Sequence, residues 1–309
     1  MTLVQVVAIS LGLMVSVGGC RKDDKKVSSA DAAMLANRET QLARRLAARD
    51  LAPGAPLAMW ILPRELREIS GLALTANGQL LAHNDQRAVV FVINPRRGIV
   101  VKRFSVGEKH GARGDFEAIT VAQNSMYLLT SNGKLYQFKE GADGATVRAT
   151  LHDTRLGREC EFEGLAFDPR SSVLLLPCKN VETKKLRDQL VIYRWHLGAS
   201  ASPQMSMLTI PLERAIGSNE WKRIRPTDIA VDPVTGNYVL IAGQEQALIE
   251  LTPTGELVRS MTIPGRHPQA EGVALSRDSI LAVADEATKG AAMITLYRWP
   301  IGTAAPSSQ

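Results

Sequence analysis

Asp115-Phe116-Glu117-Ala118-Ile119-Thr120-Val121 is a short apolar strand with an acidic residue near its start, and the chain repeats it four times with small changes. The near-copies are Ile69-Ser70-Gly71-Leu72-Ala73-Leu74, Phe162-Glu163-Gly164-Leu165-Ala166-Phe167, Thr227-Asp228-Ile229-Ala230-Val231 and Ala270-Glu271-Gly272-Val273-Ala274-Leu275. Aligned on the polar residue, the copies sit at Ser70, Glu117, Glu163, Asp228 and Glu271, spaced by 47, 46, 65 and 43 residues. A period of about 40 to 50 residues built from short apolar strands is that of a β-propeller blade.

Each unit continues on one template. After Gly71–Leu74 comes a turn at Ala76-Asn77-Gly78, then strands at Leu80–Asp85, Val89–Asn94 and Val100–Phe104, the last two joined by Pro95-Arg96-Arg97-Gly98. The fourth unit carries the hairpin turns Asp232-Pro233-Val234-Thr235-Gly236 and Thr252-Pro253-Thr254-Gly255-Glu256. Asx, Pro and Gly in these places are the turn chemistry of antiparallel neighbours. The last unit holds only three strand-like runs, whereas a blade needs four. Leu57–Leu62, which precedes the first repeat, supplies the missing strand and closes a ring of five blades. The reading is therefore an all-β five-bladed β-propeller over residues 57–300, with its insertion in blade three near 181–187 and 198–204.

Upstream, residues 1–19 carry no charged side chain and end in Val17-Gly18-Gly19-Cys20, after which Arg21-Lys22-Asp23-Asp24-Lys25-Lys26 turns abruptly polar. This resembles a bacterial lipoprotein signal, with cleavage before Cys20 and acylation of that cysteine. The n-region lacks Lys or Arg and Val17 stands where Leu is usual, so an uncleaved membrane anchor is the alternative. Either way the remainder is exported and anchored at the cell envelope. Arg21 after the acylated cysteine favours the outer membrane over the inner. Residues 20–56 read as a partly helical tether, with Leu35, Leu42 and Leu46 at helical spacing. A short tail at 301–309 is expected to be disordered.

The formal charge is +6 with a pI near 9.3. The basic residues are scattered and lack an aromatic stripe, which argues against nucleic acid. Cys160 and Cys178 lie near opposite ends of one hairpin, where a disulfide is open to an exported protein if the register allows it. There is no CxxC, no Cys/His zinc spacing, no GxSxG, no P-loop and no GxGxxG, so zinc-dependent, serine-hydrolase and nucleotide-binding readings lose their usual support.

The first strand of every propeller blade lines the channel, so one shared register makes a ring of side chains. Glu117, Glu163, Asp228 and Glu271, with Ser70 as fifth member, form that ring. Converging carboxylates raise one another's pKa and call for a cation. Oxygen ligands without histidine point to a hard ion, and Ca²⁺ tolerates irregular geometry better than Mg²⁺. The four acids are thus candidate metal ligands. The structural alternative is that they accept backbone N–H groups of neighbouring blades and lock the ring. A second ring comes from the ends of the second strands, with Asp85, Asn132, Lys179, Gly243 and Asp285 in register and Asn84 beside them. His83 is a candidate general base or a satisfied buried histidine; His110 and His152 fall in loops.

Ile69-Ser70-Gly71-Leu72-Ala73, Ala82-His83-Asn84-Asp85, Gly114-Asp115-Phe116-Glu117-Ala118-Ile119 and Cys160-Glu161-Phe162-Glu163-Gly164-Leu165-Ala166, taken together, resemble the SdiA-regulated bacterial family over residues 57–300. The resemblance implies a five-bladed propeller with a bound calcium ion, distantly related to NHL-repeat propellers, and a family without an established activity. Metal-dependent hydrolases occur among six-bladed relatives. Two functions follow as expectations. One is a lipid-anchored calcium-binding module that engages a protein or small-molecule ligand at the envelope. The other is a metal-dependent hydrolase of a phosphoester or lactone, in which calcium polarises the substrate and a ring carboxylate is the base. Neither reading singles out catalytic residues.

Overall fold

The computed structural model describes residues 28–198 and 205–301. Cys20, the expected signal at 1–19, most of the 198–204 insertion and the tail beyond Ile301 lie outside the described residues. The first described element is helix α1 (Ser29–Ala47), whose first turn is capped by the Ser28 hydroxyl accepting the Asp31 amide at 3.1 Å. Strand β1 (Ala58–Ile61) follows.

Five antiparallel sheets then succeed one another. Blade one is β2 (Ile69–Leu74), β3 (Leu80–Asn84), β4 (Val89–Asn94) and β5 (Ile99–Val106). Blade two is β6 (Phe116–Ala122), β7 (Ser125–Thr130), β8 (Lys134–Phe138) and β10 (Ala149–Asp153). Between its last two strands the chain returns to blade one as the short β9 (Thr146–Val147), parallel to β5. Blade three has a broken inner strand, β11 (Cys160–Phe162) and β12 (Ala166–Asp168), followed by β13 (Val173–Val181), β14 (Gln189–His196) and β15 (Met205–Pro211). After the short α2 (Leu212–Ile216), blade four is β16 (Asp228–Val231), β17 (Tyr238–Ala242), β18 (Ala247–Leu251) and β19 (Leu257–Thr262). Blade five is β20 (Ala270–Leu275), β21 (Ile280–Asp285), β22 (Met293–Arg298) and, as its outer strand, β1. Ala58 pairs with Leu296 and Ile61 with Met293, so the ring closes through the strand before the first repeat, as the count of strands requires.

Alternating strands bury one face against each neighbouring blade, and the core divides accordingly into layers between blades. Phe104, Phe116 and Phe138 fill the gap between blades one and two; Phe162 and Tyr193 lie between two and three; Tyr238 and Ile192 lie between three and four. Polar ties cross the same gaps. Tyr238 donates to Asp168 at 3.0 Å and the Trp299 indole to Asp232 at 2.9 Å, each satisfying a buried carboxylate where an inner strand ends.

Two sequence expectations change here. Residues 29–47 are not a loose tether: Leu42 is 1% exposed and joins the core between blades five and one, beside Leu57, Trp60 and Leu296. His152 is in β10 rather than a loop, with Nε2 2.9 Å from the Gln137 side-chain oxygen.

Candidate functional site

The ring residues are set by a local irregularity shared between blades. Pairing of the inner strand with its neighbour slips between Ile69 and Leu72, between Phe116 and Ala118, and between Ala270 and Gly272. Ser70, Glu117 and Glu271 therefore sit in β-bulges, each an unpaired residue at one mouth of the channel. In blade three the slip falls at Glu161/Phe162, and Glu163 lies in the break between β11 and β12. A bulge re-aims a side chain that regular pleating would direct elsewhere.

The inner strand pair of blade four has no bulge, and this moves one predicted ligand. Asp228 pairs regularly with Ile241, and the residue in line with Ser70, Glu117, Glu163 and Glu271 is Thr227. Thr227 turns its hydroxyl to the Ala270 carbonyl at 2.7 Å. Asp228 belongs one position deeper, in a layer with Gly71, Ala118, Gly164 and Gly272. A Cβ on Gly164 would lie 3.1 Å from Asp228 Cα, and one on Gly272 would lie 3.1 Å from the Gly71 carbonyl carbon. Four small residues thus leave space for a single side chain on the axis. Its carboxylate accepts the Ile229 and Val273 amides, both at 2.8 Å, and the Leu72 amide at 3.5 Å. Burial pushes its pKa well above the usual carboxylate range, against the pull of those amides and that of Leu165. For Asp228 the geometry is therefore the interblade lock, not a ring ligand.

Around the mouth, Ser70 donates to Glu117 at 3.2 Å, and Lys179, on β13, makes an ion pair with Glu163 Oε1. Glu163 is 7% exposed, and its other oxygen, Oε2, is buried without a hydrogen-bond partner among the described residues. Desolvation comes first among the causes that raise all three glutamates. Glu117 rises to about 8, with the Glu163 and Asp115 charges adding to burial and Ser70 and Lys179 opposing. Glu163 rises to about 7 against the pull of Lys179. Glu271 also rises to about 7, with Lys179 and Gln269 opposing and Glu286 and Glu117 reinforcing. The mouth gathers three glutamates that burial drives toward their neutral forms around one ammonium.

The predicted second ring is only partly assembled. Asp85 faces Glu68 and Asp115, and burial with these charges raises its pKa. Its Oδ1 is buried without a partner. Asp285 is instead tied at 2.7 Å to His267 Nδ1, whose Nε2 lies 2.7 Å from the Tyr297 hydroxyl, a buried cluster away from the mouth. Asn132 accepts from Thr130 at 2.8 Å, and Asn84 accepts the Arg87 amide at 3.3 Å; both serve their own turns. His83 is fully buried, with Nε2 where a side chain on Gly71 would go, and burial lowers its pKa to about 4. It is a neutral wall residue. Lys179 is the residue whose role alignment alone left unread, although it is the one basic side chain in an otherwise acidic or neutral ring. Cys160 and Cys178 are disulfide-bonded with Cα atoms 5.5 Å apart, directly before the strand break that carries Glu163.

The donor set can be tested against the calcium expectation. Asp228 is occupied by amides, Glu163 by an ammonium, and among the described residues no three His, Cys, Asp or Glu side chains come together as ligands. A calcium site wants six to eight oxygens. As folded, this ring does not fit that ion.

On the far side of Asp228 lies a cavity of about 370 Å³, walled by Leu72, Leu165, Ile229 and Val273. Among its rim charges Arg170 is held by the Val234 and Thr235 carbonyls and Asp278 by Arg96, while Arg277 also lines it. It offers volume without convergent polar groups. The acidic mouth offers the reverse, and buried polar atoms without partners make it the better candidate site.

No family model matches the chain, and no curated protein does. Among solved structures, a luciferin-regenerating enzyme is similar at 12% identity and a TM-score of 0.51, over 80% of this chain and 97% of that one. Glutaminyl cyclase of Myxococcus xanthus is similar at 12% identity and a TM-score of 0.51, over 79% and 95%. The PQQ-bound aldose sugar dehydrogenase of Streptomyces coelicolor follows at 13% identity and a TM-score of 0.48, over 79% and 99%. At these identities the likeness is one of propeller fold.

Proposed function

We propose that this chain is an exported, lipid-anchored propeller that works as a binding module at the cell envelope, with the acidic mouth of its channel as the ligand site. The resemblance to the SdiA-regulated family and the Val17-Gly18-Gly19-Cys20 motif support the class and the location, with Arg21 favouring the outer membrane. The observation that carries the site is Glu163, buried beside Glu117 and Glu271 with one carboxylate oxygen lacking a partner. These glutamates favour a cationic ligand, because a positive charge beside them lowers their raised pKa values and is met by carboxylates as they ionise, whereas an anion would raise those values further. The test is a thermal-shift screen of organic cations and calcium against the wild type and Glu163→Gln. A cation that raises Tm in the wild type and not in the variant supports the reading; a screen in which only anionic or neutral compounds raise Tm sinks it. For the anchor, the mature protein should begin at an acylated Cys20, and Cys20→Ala should release it from membranes.

A second reading, hydrolysis of a lactone or phosphoester, draws on the glutamate pKa values of about 7 to 8, which lie in the range of general acids and bases at neutral pH. The same charges favour a neutral lactone over a phosphoester. Hydrolysis of a lactone panel that is lost in Glu117→Gln would establish it.

A further inference from the structure

We infer that Lys179 is the resident cation of the channel mouth and takes the place that a divalent metal would hold among its carboxylates. This deepens the reading of the mouth as the ligand site but is tested apart from it. Converging glutamates need a positive charge, and β13 supplies one from within the fold. Lys179 lies on the second strand of blade three, one residue beyond Cys178, which pairs with Phe162; it is thus level with Asp85 and Glu286 and is the cation among them. Its ammonium contacts Glu163 Oε1, and its charge is felt at Glu117 and Glu271. The side chain is 20% exposed, so the ammonium has left most of its water for these oxygens.

Two further arrangements belong to the same solution. The strand break at Glu163 and the disulfide between Cys160 and Cys178 fix the two strands that carry the pair. Asp228, the remaining acid a metal would need, is turned to the Val273 and Ile229 amides instead. A fixed ammonium neutralises one carboxylate, and burial holds the other two carboxyls toward their neutral forms. The mouth then needs no calcium to fold, and a metal could enter only by displacing the ammonium.

Equilibrium dialysis with radioactive calcium and thermal denaturation in calcium or chelator decide this on the exported chain. The wild type should bind no stoichiometric calcium and melt at the same temperature in both buffers, and Lys179→Arg should behave likewise. Lys179→Gln should melt lower in chelator, recover in millimolar calcium and bind one ion per chain, and Glu163→Gln added to it should remove both the defect and the calcium response. If Lys179→Gln does not fold alone, the double variant should restore folding. Stoichiometric calcium on the wild type overturns the inference. So does a Lys179→Gln protein that is as stable as the wild type and indifferent to calcium, or a double variant that rescues nothing. A failed ligand screen would leave these outcomes untouched, because they read calcium and stability alone.

Discussion

The Asp228 carboxylate, on the inner strand of blade four, accepts the amide of Val273 on blade five at 2.8 Å. Its same oxygen lies 3.5 Å from the amide of Leu72 on blade one, across the axis. One side chain therefore joins three blades. It also divides the channel into an acidic mouth and an apolar funnel. Most of the contact between blades is through layers of apolar side chains, which are non-directional. A buried carboxylate that must meet amides fixes how the blades are turned as well as that they touch.

Removing that carboxylate leaves buried N–H groups without acceptors. Asp228→Ala should destabilise the fold by about 2–5 kcal/mol, since each orphaned buried donor costs about 1–3 kcal/mol. Asp228→Asn keeps one acceptor oxygen and should lose less. Urea denaturation of the three proteins checks the order, and an Asp228→Ala protein of wild-type midpoint would mean that the amides find water instead.

Stability should also fall as the pH rises through neutrality. Glu117 is raised from 4.5 to about 8 in the fold, so the folded state holds its proton more tightly than the unfolded chain does. Below about pH 4.5 both states are protonated and the group costs nothing. Above about pH 8 the full cost of a buried charge beside Glu163 and Asp115 is present. Glu163 and Glu271, raised to about 7, act in the same direction, with Lys179 opposing both. Tm measured from pH 5 to pH 8.5 should decline, and Glu117→Gln should flatten the slope. A wild-type Tm that climbs across this window would contradict the assignment.

The five-blade count was legible because each blade announces itself locally, by short apolar runs and Asx-Gly turns that need no partner to be recognised. Closure by Leu57–Leu62 was legible too, since three strands leave a blade short. Which residue of each repeat faces the channel was harder. Alignment on the polar residue put Asp228 in the glutamate ring, but side chains alternate along a strand, and a slip of one residue sends them to another place. The bulges at Ser70, Glu117 and Glu271 and their absence at blade four are pairing features, invisible until β16 is laid against β17. Lys179 illustrates the same limit. Its register was readable, but its reach to Glu163 on another strand depends on the break between β11 and β12.

The Cys160–Cys178 bond closes an 18-residue separation across that break. Loop closure of this length is worth about 3 kcal/mol on chain-entropy grounds, and the strand pairing of β11 with β13 already secures part of it. Reduction should lower the urea midpoint, and the Cys160→Ser, Cys178→Ser double variant should match the reduced wild type and ignore reductant. If the double variant still responds to reductant, the effect lies elsewhere.

The last prediction concerns the seam of the ring. β1 is held to β22 by four residue pairs and by two flanking bonds, Leu57 N–H to the Leu296 carbonyl at 2.6 Å and Leu62 N–H to the Ala292 carbonyl at 2.9 Å. So short a strand, covalently remote from its sheet, is the part of the ring most free to open. Helix α1 covers it. Leu42 packs into the layer with Leu57 and Trp60, the Arg38 guanidinium lies 5.3 Å from the Trp60 ring centre, and Arg298 donates to the Arg45 and Ala48 carbonyls at 3.0 and 2.9 Å. A buried leucine cut to alanine costs about 2–5 kcal/mol, so Leu42→Ala should weaken the seam by an amount in that range. A chain beginning at residue 51, which keeps β1 and lacks α1, should be weaker still. Hydrogen exchange should locate the loss in β1 and β22 before any other blade. Uniform loosening of all five blades would show instead that the ring opens as a whole, with α1 acting as ordinary core.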